Sequence, residues 1–73
     1  MEYSWSPPKY TTGRIVRFEW GRSIWKTGRI CSLETKYDHK GAAYHIYRIQ
    51  PLGGVACRWV TEGLMAPRPG DPA

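Results

Sequence analysis

Two cysteines and two histidines are the side chains of this 73-residue chain that could bind a metal ion together. Zinc is the metal that such a set would hold, and zinc sites place their ligands in close pairs such as C-x-x-C or H-x-x-x-H. The four candidates are instead scattered along the chain: Cys31, His39, His45 and Cys57. We therefore expect two core thiols and two surface or partly buried imidazoles, with no metal site and no cofactor.

Catalysis would need a positioned acid, base or nucleophile inside a pocket that excludes water. His39 falls in a predicted loop and His45 in a predicted strand, and nothing in the sequence indicates a serine or aspartate that serves either. A domain of this size also has little room for such a pocket. The sequence therefore predicts a protein that is not an enzyme.

Four aromatic residues are of the type that forms a cage around a methylated lysine, namely Trp20, Trp25, Tyr44 and Tyr47. Such a cage binds the cation through the faces of its rings. The alternative is that Trp20 and Trp25 cap the hydrophobic core. Cages also contain an acidic residue, and only Glu19 and Glu34 are near in sequence.

Basic side chains are concentrated between Gly13 and Arg29, where five of them accompany the single acid Glu19. Arginine outnumbers lysine seven to four in the chain, and a planar guanidinium suits bidentate pairing with carboxylate or phosphate. The net charge of +5 favours association with nucleic acid or with an acidic protein surface. A solvated basic face without a partner is the third interpretation.

Aromatic residues accompany this charge. Four Trp, five Tyr and one Phe are too many for so small a core to hide, so some rings should be exposed to a partner. The N-terminal segment is aromatic as well, and an extended segment can lie in a protein groove or add to a sheet. We therefore predict these partner-binding residues: Tyr3, Trp5, Arg14, Arg17, Arg22, Trp25, Lys26 and Arg29.

Short β-strands must position these side chains. The alternation of Val16, Phe18 and Trp20 predicts a strand over 13–20, and the breakers that follow divide the chain into short segments without a helical period. Further strands are predicted over 27–35, 42–50, 55–60 and 64–66, with polar turns at 36–41 and 51–54. The predicted organisation is an extended arm (1–12), a small β-domain (13–66) and a disordered tail (67–73). The arm either packs back on the sheet or docks on a partner.

No apolar run approaches the length of a membrane span, and no signal-peptide pattern is present. The chain therefore reads as a cytoplasmic protein. Free thiols are the usual state in a reducing compartment, and we expect Cys31 and Cys57 to be unpaired.

Three motifs resemble the SH3-like small barrels, the group that includes Tudor-type, chromo-like and translation-factor-type domains. They are the G-x-I-V-x-F-x-W strand at 13–20, the step W-x-x-G-x-I at 25–30 and the segment W-V-x-x-G-L at 59–64. The resemblance covers about fifty residues and implies five short strands with a brief turn before the last. An irregular antiparallel sheet of four strands is the main alternative.

The whole chain, from its opening MEYSWSPPKYTTGRIV to its closing GLMAPRPGDPA, resembles small phage-encoded regulators that bind the RNA polymerase of the host bacterium. This resemblance implies a monomeric protein in the host cytoplasm that contacts the beta and beta-prime subunits near the flap and the RNA exit channel. It also implies loss of the sigma factor during initiation, and antitermination aided by a host elongation factor. The competing interpretation is an SH3-like module that binds DNA or RNA directly through its basic, aromatic face, and nucleic acid is also conceivable as a secondary contact of a polymerase-bound protein.

Overall fold

A computed structural model of the chain describes residues 6–54, 56–68 and 70. The described residues form five β-strands and one 3₁₀ turn. The strands are β1 (Ile15–Gly21), β2 (Ile24–Tyr37), β3 (Ala43–Pro51), β4 (Arg58–Thr61) and β5 (Met65–Pro67), and the 3₁₀ turn is Glu62–Leu64.

The five strands make one antiparallel sheet in the order β4-β3-β2-β1-β5. The prediction of a small all-β protein is therefore confirmed. The chain returns after the 3₁₀ turn, and β5 pairs with β1 rather than with the preceding strand β4. The sheet is open rather than a closed barrel, since β4 and β5 form its two edges within the described part of the chain.

Strand β2 is longer than the sequence indicates. Its predicted end at Thr35 is wrong, because Lys36 and Tyr37 continue to pair with β3 before the turn at 38–42 begins. A bulge between Ile30 and Ser32 shifts the register, and such a bulge bends a long strand. Strand β4 is shorter than predicted because it begins at Arg58.

The hydrophobic core lies on one face of the sheet, which we call the core face. Alternate residues of the paired strands supply it, as the two-residue period of a strand requires. The buried apolar side chains are Tyr10, Val16, Phe18, Ile30, Tyr47, Ile49, Val60 and Met65, and Trp20 and Leu33 pack against them. The opposite side is called the solvent face.

The described part of the N-terminal arm packs back on the core face. Tyr10 is buried, and its ring meets that of Tyr47 edge-on at 5.8 Å between centroids. Of the two interpretations offered for the arm, the structure shows the first for residues 6–10. The predicted start of the tail at Pro67 is wrong, because Pro67 is the last residue of β5 and pairs with Val16 of β1. Residues 69 and 71–73 of the predicted tail lie outside the described residues.

Candidate functional site

The register of the sheet decides which of the predicted partner-binding residues share a surface. Residues directly opposite each other on paired strands point to the same side. Arg17 pairs with Thr27, while Lys26 pairs with the core residue Phe18. The basic residues of 13–29 are therefore divided between the two sides of the sheet.

Arg17, Trp25 and Arg29 come together on the solvent face. Trp25 and Arg29 lie two residues to either side of Thr27, so both are diagonal neighbours of Arg17 across the β1–β2 ladder. Such neighbours are about 7–8 Å apart. The guanidinium carbon of Arg17 lies 6.0 Å from the centre of the Trp25 ring, which is 46% exposed.

These two arginines form no ion pair within the described part of the chain, although Glu19 lies on the same face directly opposite Trp25 and accepts a hydrogen bond from the Ser23 amide. Arg17 donates through Nε to the backbone oxygen of Pro67 at 3.1 Å. No carboxylate of the described residues forms an ion pair with Arg17 or Arg29. Their charge is therefore available to an acidic partner, and the exposed Trp25 ring offers an apolar anchor beside it.

Lys26 belongs to a different cluster at the rim of the core face. Its Nζ lies 4.8 Å from the centre of the Trp20 ring, and the guanidinium carbon of Arg58 lies at the same distance from that ring. Arg58 also donates to the backbone oxygen of Trp20. Trp20 in turn meets Phe18 edge-on, so this ring joins two cations to the core.

Arg14 lies on the core side as well, where its guanidinium carbon is 5.5 Å from the centre of the Tyr10 ring. Together with Lys9 and Pro67 these residues line a cavity of about 340 Å³. Arg22 is exposed in the turn between β1 and β2.

Two predicted anchors, Tyr3 and Trp5, lie outside the described residues.

A hydrogen-bonded latch joins the arm to strand β3 and to the 3₁₀ turn. The Glu62 carboxylate accepts hydrogen bonds from the Tyr47 hydroxyl at 2.5 Å and from the Lys9 amide at 2.9 Å. The Tyr47 hydroxyl also accepts from the Tyr10 amide at 3.3 Å. Sequence reasoning missed this network, because its members are up to 53 positions apart in the chain.

The latch shifts the pKa of both of its acidic groups. Burial, followed by the hydrogen bond to Glu62, raises the pKa of Tyr47 from 10.0 to about 12. Burial alone would raise the pKa of Glu62, but hydrogen bonds from the Lys9 amide and the Tyr47 hydroxyl, together with electrostatic attraction to His45 and Lys9, hold it below its ordinary value. Both shifts favour the pair in which the phenol is neutral and the carboxylate is charged.

His45 is a second fastening point of the arm. Its buried ring lies with Nε2 2.6 Å from the Ser6 carbonyl oxygen and Nδ1 2.8 Å from Thr35 Oγ1. A carbonyl can only accept, so Nε2 carries a proton, and in the neutral ring Nδ1 accepts from the threonine hydroxyl. The histidine, which belongs to β3 and contacts β2 through Thr35, therefore fastens the arm to the sheet.

The cysteines and histidines do not assemble in the described part of the chain, where no three residues of the types His, Cys, Asp and Glu cluster. Both thiols are free, as predicted, but neither is a core thiol, since Cys31 is exposed and Cys57 half-buried. No helix among the described residues is long and apolar enough for a membrane span.

The four rings considered for a methyl-lysine cage also lie apart. Tyr47 is fully buried and Trp20 packs against Phe18, both on the core face, whereas Trp25 and Tyr44 belong to the solvent face. A cage needs rings that surround one cation. The sheet separates these rings into two pairs.

Two exposed residues of the solvent face, Arg48 and Trp59, were absent from the predicted site. They are direct cross-strand partners on β3 and β4. The alternation around Val60 was a usable signal, because a buried Val60 turns Trp59 to the opposite side. That Trp59 stands beside Arg48 depends on the register between the strands.

No family model matches this chain, and neither a curated protein nor a solved structure matches it. The function proposed next therefore depends on the chemistry of the surface and on the resemblance of the sequence.

Proposed function

We propose that this chain is a non-enzymatic transcription regulator of phage origin that binds the RNA polymerase of a bacterial host. The observation that carries the proposal is the patch of Arg17, Trp25 and Arg29 on the solvent face. It combines two arginines that have no carboxylate partner among the described residues with an indole that is 46% exposed. Arginine and tryptophan are the residue types that dominate binding energy in protein interfaces.

The partner is chosen by charge and by the resemblance of the sequence. A chain with net charge +5 is attracted to acidic macromolecules, and complementary charge raises the rate of encounter. The resemblance indicates the beta and beta-prime subunits as the acidic surface, with a host elongation factor as a further contact. Arg17 and Arg29 then pair with carboxylates while Trp25 supplies the apolar anchor.

The regulatory effect follows from competition or coupling. Initiation at promoters is inhibited if the bound regulator and the sigma factor cannot occupy the polymerase together, or if each weakens the other by a few kcal/mol. A regulator that stays bound during elongation can also favour readthrough of terminators. Neither effect requires a reaction at the regulator itself.

The direct test is recovery of the polymerase from a nuclease-treated bacterial lysate on the tagged protein. The wild type should recover the polymerase large subunits, and a variant with Arg17→Glu and Arg29→Glu should lose them. The matched control reverses the same charge at the exposed residues Lys40 and Arg68 and should behave as the wild type. Far-UV circular dichroism checks that each variant is folded.

Two results would refute the proposal or its site. Absence of polymerase from the wild-type eluate removes the partner. Equal recovery by wild type and the Arg17, Arg29 variant removes this patch from the interface. In vitro transcription from a sigma-dependent promoter then measures whether the recovered complex is inhibited.

A further inference from the structure

A second exposed group of side chains occupies the β3–β4 part of the solvent face. It consists of Trp59, which is 46% exposed, its cross-strand partner Arg48, and Tyr44, which is 42% exposed. Tyr44 lies four residues before Arg48 on β3 and therefore on the same side of the sheet. None of the three belongs to the patch that we propose for the polymerase.

The spacing of the three side chains follows from the strand geometry. Directly opposed residues of an antiparallel pair have Cβ atoms about 4.5–5.5 Å apart, so Arg48 and Trp59 leave the sheet side by side, although the guanidinium does not lie over the indole ring. Four residues of an antiparallel strand span about 14 Å, which is the distance from Arg48 to Tyr44 along β3. Two rings thus lie on one face of the sheet, with an arginine directly opposite the first of them.

Trp59 differs from Trp20 and Trp25 in having no cation over its ring among the described residues. Trp20 already has Lys26 and Arg58 over its ring, and Trp25 has Arg17. No cation and no second ring of the described residues contacts Trp59. A half-exposed indole on a sheet, without a cation or ring against it, is a surface on which a planar ligand can stack.

The charge beside this ring is also unneutralised. Arg48 is exposed and forms no ion pair with a carboxylate of the described residues. Glu34 is the nearest acid on the same face of β2, and its Oε2 lies 3.6 Å from Nζ of Lys36. The surroundings of Trp59 therefore attract an anion.

We propose that Trp59, Arg48 and Tyr44 form a binding surface for single-stranded nucleic acid. One unpaired base stacks on Trp59, the backbone phosphate next to it pairs with Arg48, and the strand continues along β3 toward Tyr44. A duplex does not fit this surface, because its base faces are covered by their neighbours. The assignment does not depend on the polymerase, since it uses different residues.

An acidic protein is the other class of partner with matching charge, but the arrangement fits it less well. Protein hot spots are close-packed and surrounded by contacts that exclude water. Here two exposed rings are separated by about 14 Å of strand on one face of the sheet. A single strand presents alternating bases and phosphates, which match this series of ring, cation and ring. The packed apolar anchor of a protein partner matches it less well.

The test is fluorescence anisotropy of labelled 12-nucleotide oligo-dT and oligo-U, with a 12-base-pair duplex as the competing ligand. The full-length wild type should bind both single strands more tightly than the duplex. Trp59→Ala should weaken this binding by about 5- to 150-fold, the range found for loss of one base-stacking side chain. Trp25→Ala, which removes an equally exposed ring, should change it by less than about twofold.

Salt dependence tests the phosphate contact separately. Loss of one phosphate contact lowers the slope of log K against log salt by about 0.7 for a single strand, and Arg48→Gln should show this decrease. Oligo-U and oligo-dT differ in the sugar and in the 5-methyl group of the base, so a preference between them does not bear on the proposal.

Four outcomes would overturn it. They are absence of binding to both single strands at low salt, equal or tighter binding of the duplex, equal losses in Trp59→Ala and Trp25→Ala, and binding of poly-glutamate that depends on Trp59. The polymerase pull-down is repeated on the same preparations with the Arg17→Glu, Arg29→Glu variant. If the wild type recovers the polymerase, that variant loses it, and the oligonucleotides do not bind, the nucleic-acid proposal fails while the proposed function stands.

Discussion

Replacing Tyr47 by phenylalanine removes a single oxygen atom from the latch that holds the arm. The ring remains, so its edge-on contact with Tyr10 and its place in the core are retained. The lost hydroxyl donates to the Glu62 carboxylate at 2.5 Å and accepts from the Tyr10 amide at 3.3 Å. The substitution therefore isolates the polar contribution of the latch.

The expected loss follows from these two contacts. A hydrogen bond to a charged group contributes about 1.5–3 kcal/mol, and a buried amide left without an acceptor costs about 1–3 kcal/mol. We expect Tyr47→Phe to lower the free energy of unfolding by about 3 kcal/mol. With a slope near 1 kcal/mol per molar urea for so small a domain, the unfolding midpoint should fall by roughly 3 M.

Urea unfolding at pH 7, followed by circular dichroism, measures this loss, and Tyr44→Phe is the matched control. Tyr44 is 42% exposed, and its hydroxyl has no hydrogen-bond partner among the described residues. The control should stay within about 0.5 kcal/mol of the wild type. Equal effects of the two substitutions would refute the latch.

Alkaline pH provides an independent measurement of the same contact. Because the pKa of Tyr47 is raised from 10.0 to about 12, the folded state favours the neutral phenol. The neutral Tyr47 phenol therefore contributes fully to the free energy of unfolding below pH 10, and this contribution is lost as the pH rises toward 12. The difference between the two pKa values corresponds to about 3 kcal/mol of free energy of unfolding. Tyr47→Phe should lack this part of the decline, and an unchanged alkaline profile would contradict the assignment.

Three further substitutions test the carboxylate of the latch and the close approach of β2 and β3. The lowered pKa of Glu62 means that its carboxylate stabilises the folded state fully above its ordinary pKa of 4.5, and that this contribution is lost as the pH falls through the lower folded value. Glu62→Gln should therefore be less stable than wild type at pH 7, and urea unfolding between pH 3 and 7 should show a flatter acid profile. At Gly28 a Cβ would lie 2.5 Å from a side-chain atom and 2.7 Å from a backbone oxygen of β3, whereas at Gly63 nothing lies within 4 Å. Gly28→Ala should lower the free energy of unfolding by about 2 kcal/mol or more, and Gly63→Ala should lower it much less. Equal melting temperatures of the two variants would contradict the close approach of β2 and β3.

Local pattern predicted the class of the fold. The alternation of Val16, Phe18 and Trp20 predicted the first strand, and Val16 and Phe18 are buried in the core. This succeeds because the side chains of a strand alternate regardless of its neighbours. The breakers at 51–54 likewise predicted the turn after β3.

The extent of β2 was not available from local pattern. The residues around Lys36 have the composition of a turn, yet Lys36 pairs with Tyr44 and Tyr37 pairs with Ala43. Pairing with β3 supplies hydrogen bonds that the polar sequence alone does not predict. Tertiary context therefore overrides the weak preference of these residues.

The candidate site divides in the same way between sequence and structure. Residue types alone indicated an excess of arginine and exposed rings, and hence a surface for an acidic partner. The grouping of Arg17 with Trp25, of Lys26 with Arg58, and of Arg48 with Trp59 depends on which strands are adjacent and in what register. Register is a property of two segments distant in the chain, so only the folded sheet determines which charges and rings share a face.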